Sequence, residues 1–149
     1  MTQEQEIEYL KEQIEYISRN YVTGLYGRHR FMKRLRELFG TEPFYIIMYD
    51  VDGLHEVNRV QGYSAGDSLL KQVATELEMC ISPCCAFHIG GDEFYVIYLE
   101  EPTDIDVANT TYAMVKSEDY DSINAMLDTV DKRVSLKKAK LKKRRREDI

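Results

Sequence analysis

The chain has 149 residues, 44% of them hydrophobic and 31% charged, enough for one domain with a proper core plus short appendages. No apolar run reaches the length of a bilayer span, and the polar, acidic N-terminus is unlike a signal peptide, so a cytoplasmic protein without a membrane span is expected. The net charge of −6 is uneven: residues 137–149 hold eight Lys/Arg against two acids, net +6, which leaves −12 on residues 1–136 and argues against nucleic acid as the main partner.

Residues 2–18 read as a helix, because Ile7, Leu10, Ile14 and Ile17 recur at three- and four-residue spacing on an otherwise charged cylinder. That stripe fits packing on the chain's own core or a short coiled-coil pairing with a second copy, and the spacing leaves both open. Gly24 and Gly27 then interrupt helix, and periodicity resumes from Arg28 to Phe39 through Phe31, Leu35 and Leu38. Phe44 to Tyr49 is nearly continuous in apolar residues, which suits a central strand covered on both faces. It delivers Asp50-Val51-Asp52 at its C-terminal end, where acids serve either as helix caps or as ligands. A short turn over Gly53–Val60 follows. A helix over 65–79 comes next, with Leu69, Leu70, Val73 and Leu77 on its apolar side and Ser64 to Asp67 as a capping box.

Three cysteines, Cys80, Cys84 and Cys85, are an odd number without framework spacing, so reduced thiols are the simplest reading; a zinc site with His88 lacks a completing pair. Ala86 to Ile89 and Glu93 to Leu99 form the two arms of a hairpin, and adjacent Gly90 and Gly91 supply the positive φ of a primed turn. The turn carries Asp92 and Glu93 side by side. Two like charges so close repel unless a cation lies between them, which points to a divalent metal. Residues 107–115 read as a further strand, and a final helix starts near Ser122 and runs into the basic tail.

Gly90-Gly91-Asp92-Glu93-Phe94 spells the signature of the GGDEF domains, the diguanylate cyclases, and the chain resembles that family over residues 20–142. Thr23, Gly24, Leu25, Arg28 and Phe31 match the family's opening motif; Asn58, Gly62, Gly66 and Asp67 match without a gap the pattern that follows its Asp-x-Asp. The resemblance implies an α/β (α+β) fold like the palm of nucleotide cyclases and polymerases, a mainly antiparallel sheet flanked by helices. It divides the chain into an N-terminal helix at 1–19, a GGDEF domain at 20–142 and a basic tail at 143–149. It implies GTP as substrate, with two Mg²⁺ or Mn²⁺ ions per GTP held by Asp50, the Val51 carbonyl, Asp92 and Glu93. Asp92 or Glu93 would also help deprotonate the attacking 3′-hydroxyl. Asn58 and Asp67 would bind guanine, while Gly53, Leu54, His55, Lys138 and Lys142 would meet the triphosphate.

Closing cyclic di-GMP needs two domains face to face, so a homodimer is implied. The departures are specific. His55 stands where the family has lysine, Arg59 where it has aspartate, and His88 where it has arginine. The product-inhibition motif would fall on Ile81-Ser82-Pro83-Cys84, so that site is absent, and about 25 residues of the family layout are missing after Leu99. These departures support a second reading, a degenerate module that binds GTP or a protein partner without turnover.

Overall fold

The computed structural model describes residues 1–80 and 85–147. In chain order the elements are α1 (Gln3–Ser18), α2 (Arg28–Leu38), β1 (Tyr45–Val51), α3 (Leu54–Gln61), α4 (Tyr63–Cys80), β2 (Ala86–Gly90), β3 (Glu93–Tyr98), β4 (Thr110–Lys116) and α5 (Ile123–Glu147). The strands form one sheet in the order β2-β3-β1-β4, antiparallel at every pairing. This is the α+β, palm-like architecture that the resemblance implies.

The near-continuous apolar run of β1 has the expected physical cause. It lies between β3 and β4, and both its faces are covered. Side chains alternate across a strand, so Ile46 and Met48 face one layer while Ile47, Tyr49 and Val51 face the other. The first layer is α2 and α5, contributing Phe31, Leu35, Met126, Val130 and Val134. The second is led by α4, where Leu70, Val73, Ala74 and Leu77 recur at helical spacing. Each fully buried side chain of this kind stabilises the fold by about 1.5–3 kcal/mol, so the two layers fix the sheet's register. The same alternation puts Asp50 on the α5 side of β1 and Glu93, two residues before Tyr95, on that side of β3.

Several boundaries differ from those expected. The segment after Gly53 is a true helix, because Gly53 takes φ 69° at its N-cap and frees the chain to turn upward at Leu54. α4 begins at Tyr63, directly after Gly62, so Asp67 lies inside the helix and is not part of a cap. The hairpin is not a primed turn on two glycines: Gly90 closes β2 with a register shift after His88, and Gly91 alone turns at φ 50°. β4 starts only at Thr110, after Asn109 at φ 65°, and residues 99–109 form no helix or strand. α5 continues unbroken through Glu147. Ser122 caps it, its hydroxyl accepting from the Ala125 amide at 3.1 Å. β4 is an edge strand, and α5 blunts it: Lys137 Nζ donates to the Tyr112 carbonyl at 2.6 Å and Arg133 to that of Met114 at 3.4 Å.

α1 buries none of its residues, and Ile7, Leu10, Ile14 and Ile17 are all about half exposed or more. Its last turn is anchored to the domain through Glu15, which accepts from Tyr26 Oη at 2.7 Å and pairs with Arg19 and Arg30. Those two guanidiniums each lie over the Tyr26 ring, at 4.3 and 4.4 Å from its centroid. No described helix is long and apolar enough to cross a membrane.

Candidate active site

Three carboxylates meet at the end of the central strands. Asp50 and Glu93 are directly opposed in the β1–β3 ladder, and the Val51 amide donates to the Asp92 carbonyl at 2.8 Å, which draws the turn onto β1. One oxygen each of Asp50, Asp92 and Glu93 lies within 4.8 Å of the others. Among the described residues this is the one grouping of His, Cys, Asp and Glu with room for a metal ion. The Lys138 ammonium, reaching in from α5, is paired with the Asp50 carboxylate and lies 3.4 Å from the Val51 carbonyl.

The electrostatics are those of an acid cluster short of positive charge. Burial pushes the Asp50 carboxyl up to about 6, against the Lys138 ammonium that favours its charge, and neighbouring Asp92 adds to the rise. Burial also raises Glu93, helped by Asp92 and Asp131 and opposed by Arg28 and Lys138. A divalent cation is the group that satisfies such a set: hard oxygen donors, like-charged, partly dehydrated. The Lys138 ammonium already stands in for it, on Asp50 and the Val51 oxygen, so the residues present fit a metal.

The other residues singled out in the sequence lie on α3, α4 and α5. Gly53 and Leu54 begin α3, whose first amides have no side-chain cap; the Leu54 side chain is buried in the core and His55 is exposed. The Asn58 side chain lies over Gly66: a Cβ built there would meet Asn58 Oδ1 at 1.7 Å. That oxygen is buried with no hydrogen-bond partner, an orphan acceptor of the kind a ligand satisfies. Asp67 follows Gly66 and is half-buried. Lys142 is exposed, one turn beyond Lys138. The frame of the product-inhibition motif, 81–84, lies outside the described residues, as does Cys84 of the zinc alternative.

Some contacts had no local signal in the sequence. Thr111 Oγ1 donates to Asp52 Oδ1 at 2.6 Å, and the Asp52 amide to the Asn109 carbonyl at 2.8 Å, which secures the loop after β1. His88 is 2% exposed and bonded to Thr23 and Gly91. The Thr111–Asp52, Asp52–Asn109 and His88–Thr23 bonds each link segments far apart in the chain.

A family profile described as "Diguanylate cyclase, GGDEF domain" matches residues 19–120. The chain is 28% identical over 102 residues to the diguanylate cyclase DgcM of Escherichia coli, covering 64% of this chain and 25% of that protein. It is 30% identical over 98 residues to the diguanylate cyclase VdcA of Vibrio cholerae, covering 62% of this chain and 29% of VdcA. The chain therefore matches less than a third of the length of these curated relatives. Its fold is that of the coiled coil and GGDEF domain of DgcB from Caulobacter crescentus, solved in complex with c-di-GMP: TM-score 0.78 at 17% identity, covering 91% of this chain and 88% of that one. With the profile spanning more than half of it, the chain belongs to the GGDEF domain family.

Proposed function

We propose that the chain is a diguanylate cyclase module, condensing two GTP molecules to cyclic di-GMP in the cytoplasm. The observation that carries this reading is the convergence of Asp50, Asp92 and Glu93 with the Lys138 ammonium seated on Asp50 and near the Val51 carbonyl. When bound, Mg²⁺ or Mn²⁺, two per GTP, supplies the charge neutralisation that the transferring phosphoryl group needs. Asp50, Asp92, Glu93 and the Val51 carbonyl are the groups that would hold the metal. Lys138 and, one turn on, Lys142 meet the triphosphate, together with the amides of Gly53, Leu54 and His55. Asn58 and Asp67 take the guanine base. Support comes from the orphan Oδ1 of Asn58, which accepts from a base N–H, and from the half-buried Asp67, whose carboxylate suits the paired donors of guanine. The 3′-hydroxyl proton would pass to Asp92 or Glu93, the two acids at the hairpin tip.

Each module holds one GTP, so two copies face each other for closure, paired through the exposed stripe of α1. Incubating the full chain with GTP and Mn²⁺ and resolving the products by chromatography tests this. Cyclic di-GMP formation, lost in Asp92→Asn, is expected; bound but unconverted GTP contradicts it. That second outcome is the one predicted by the alternative, a module that binds GTP or a partner without turnover, which the helix-free connection at 99–109 favours.

A further inference from the structure

The loop that leaves α1 is tied to the acid-bearing hairpin through one buried ring. His88 Nε2 lies 2.9 Å from the Gly91 carbonyl oxygen, and Nδ1 lies 3.0 Å from Thr23 Oγ1. A carbonyl only accepts, so Nε2 carries the proton and Nδ1 accepts the Thr23 hydroxyl. The ring is 2% exposed and stacks on Phe94 at 4.2 Å and 10°. Burial pushes its pKa down, which keeps Nδ1 an acceptor. Around it the loop is fixed: Asn20 Oδ1 accepts from the amides of Val22 and Thr23, and the His88 amide donates to the Tyr26 carbonyl at 2.9 Å.

The Gly91-Asp92 turn is thus held from two sides. His88 holds the Gly91 carbonyl, and the Val51 amide holds the next carbonyl, that of Asp92. We propose that His88, with the Thr23 hydroxyl behind it, is a positioning residue that fixes this turn and aims Asp92 and Glu93 at Asp50. Its bearing on catalysis rests on the reading of these acids as cation ligands; the positioning itself does not. The segment that continues α1 becomes part of the acid site's support. An arginine at position 88 has no acceptor for the Thr23 hydroxyl, so histidine here is a different solution from the family's.

The test compares wild type with His88→Phe, His88→Gln and Thr23→Val, using amide hydrogen exchange by NMR and Mn²⁺ titration. The Val51 amide reports on the turn because Asp92 is its acceptor, and the Ile47 amide in mid-strand is the control. In His88→Phe, Val51 exchange accelerates about tenfold while Ile47 is unchanged, and Mn²⁺ affinity falls by a similar factor. His88→Gln, whose Nε2 can reach Gly91, recovers most of both, and Thr23→Val loses about two- to threefold. Should His88→Phe fail to fold, Thr23→Val decides, with His88→Gln as the variant that keeps the Gly91 bond. Unchanged Val51 exchange in folded His88→Phe or in Thr23→Val, or equal acceleration at Ile47, overturns the proposal. Wild type that binds no Mn²⁺ contradicts the cyclase reading, while the exchange comparison still decides the positioning.

Discussion

The Lys138 ammonium lies on the carboxylate of Asp50 and 3.4 Å from the carbonyl of Val51, two residues 88 and 87 positions away along the chain. On the proposed reading these are the oxygens a divalent cation would take, so lysine and metal would compete for one place until a triphosphate offered the ammonium another. The Lys138 and Asp50 side chains are only 26% and 14% exposed, so water screens the pair little. Lys138→Met is therefore expected to raise Mn²⁺ affinity about fivefold without nucleotide and to weaken GTP binding. Lys140→Met, with the same charge change on an exposed position, separates contact from net charge and should shift Mn²⁺ affinity far less. Isothermal titration reads both.

Asp50 sets the pH dependence. With its carboxyl raised to about 6 by burial and by Asp92, a metal must displace a proton below that pH. Mn²⁺ affinity should fall as pH drops through 6 and level off above 7. The stability sign is the reverse of the common aspartate case. The folded state holds its proton more tightly than the unfolded chain, so the metal-free protein loses stability as pH rises from about 4 to 6. Mn²⁺ should restore it above that window, which melting curves at pH 5 and 7.5, with and without Mn²⁺, would reveal.

Gly66 tests how Asn58, the proposed guanine contact, is placed. Glycine inside a helix costs about 1 kcal/mol relative to alanine, so Gly66→Ala would stabilise α4 if there were room. A Cβ there would meet Asn58 Oδ1 at 1.7 Å, so the clash should win, destabilising by about 1–3 kcal/mol and displacing the Asn58 amide. In an Asn58→Ala background the same change should become neutral or stabilising. Additive effects in that double-mutant cycle would mean that the two residues do not meet.

The α1 stripe predicts self-association. Leu10→Asp with Ile14→Asp should abolish dimers across a micromolar concentration series in sedimentation equilibrium, and at dilutions where wild type is monomeric should leave the melting temperature nearly unchanged, since neither residue is buried within the chain. Wild type that stays monomeric throughout contradicts the pairing.

Much of this fold was legible because its signals are local. The apolar run of β1, the stripe of α4 and the acids at the hairpin tip each announce their element within a few residues. The Asp50–Glu93 meeting follows from strand alternation once β1 and β3 are neighbours. The boundaries were less legible where a single glycine decided them: Gly53, at positive φ, starts a helix where a short turn was expected, and Gly62, also at positive φ, precedes an α4 that begins at Tyr63 and so takes Asp67 from a cap into the helix. Least legible were the ties made by side chains far apart. Thr23 and His88 are 65 residues from each other, and His88 reads in sequence as a lost arginine, whereas folding makes it a buried link to Gly91.

The most direct test of the central claim is electron paramagnetic resonance of Mn²⁺ with the protein and GTP, resolving coupling to phosphorus. The account predicts a bound Mn²⁺ signal coupled to the triphosphate, lost in Asp50→Asn and Asp92→Asn variants that remain folded. An unbound Mn²⁺ spectrum, or a bound one that both variants leave unchanged, would contradict it.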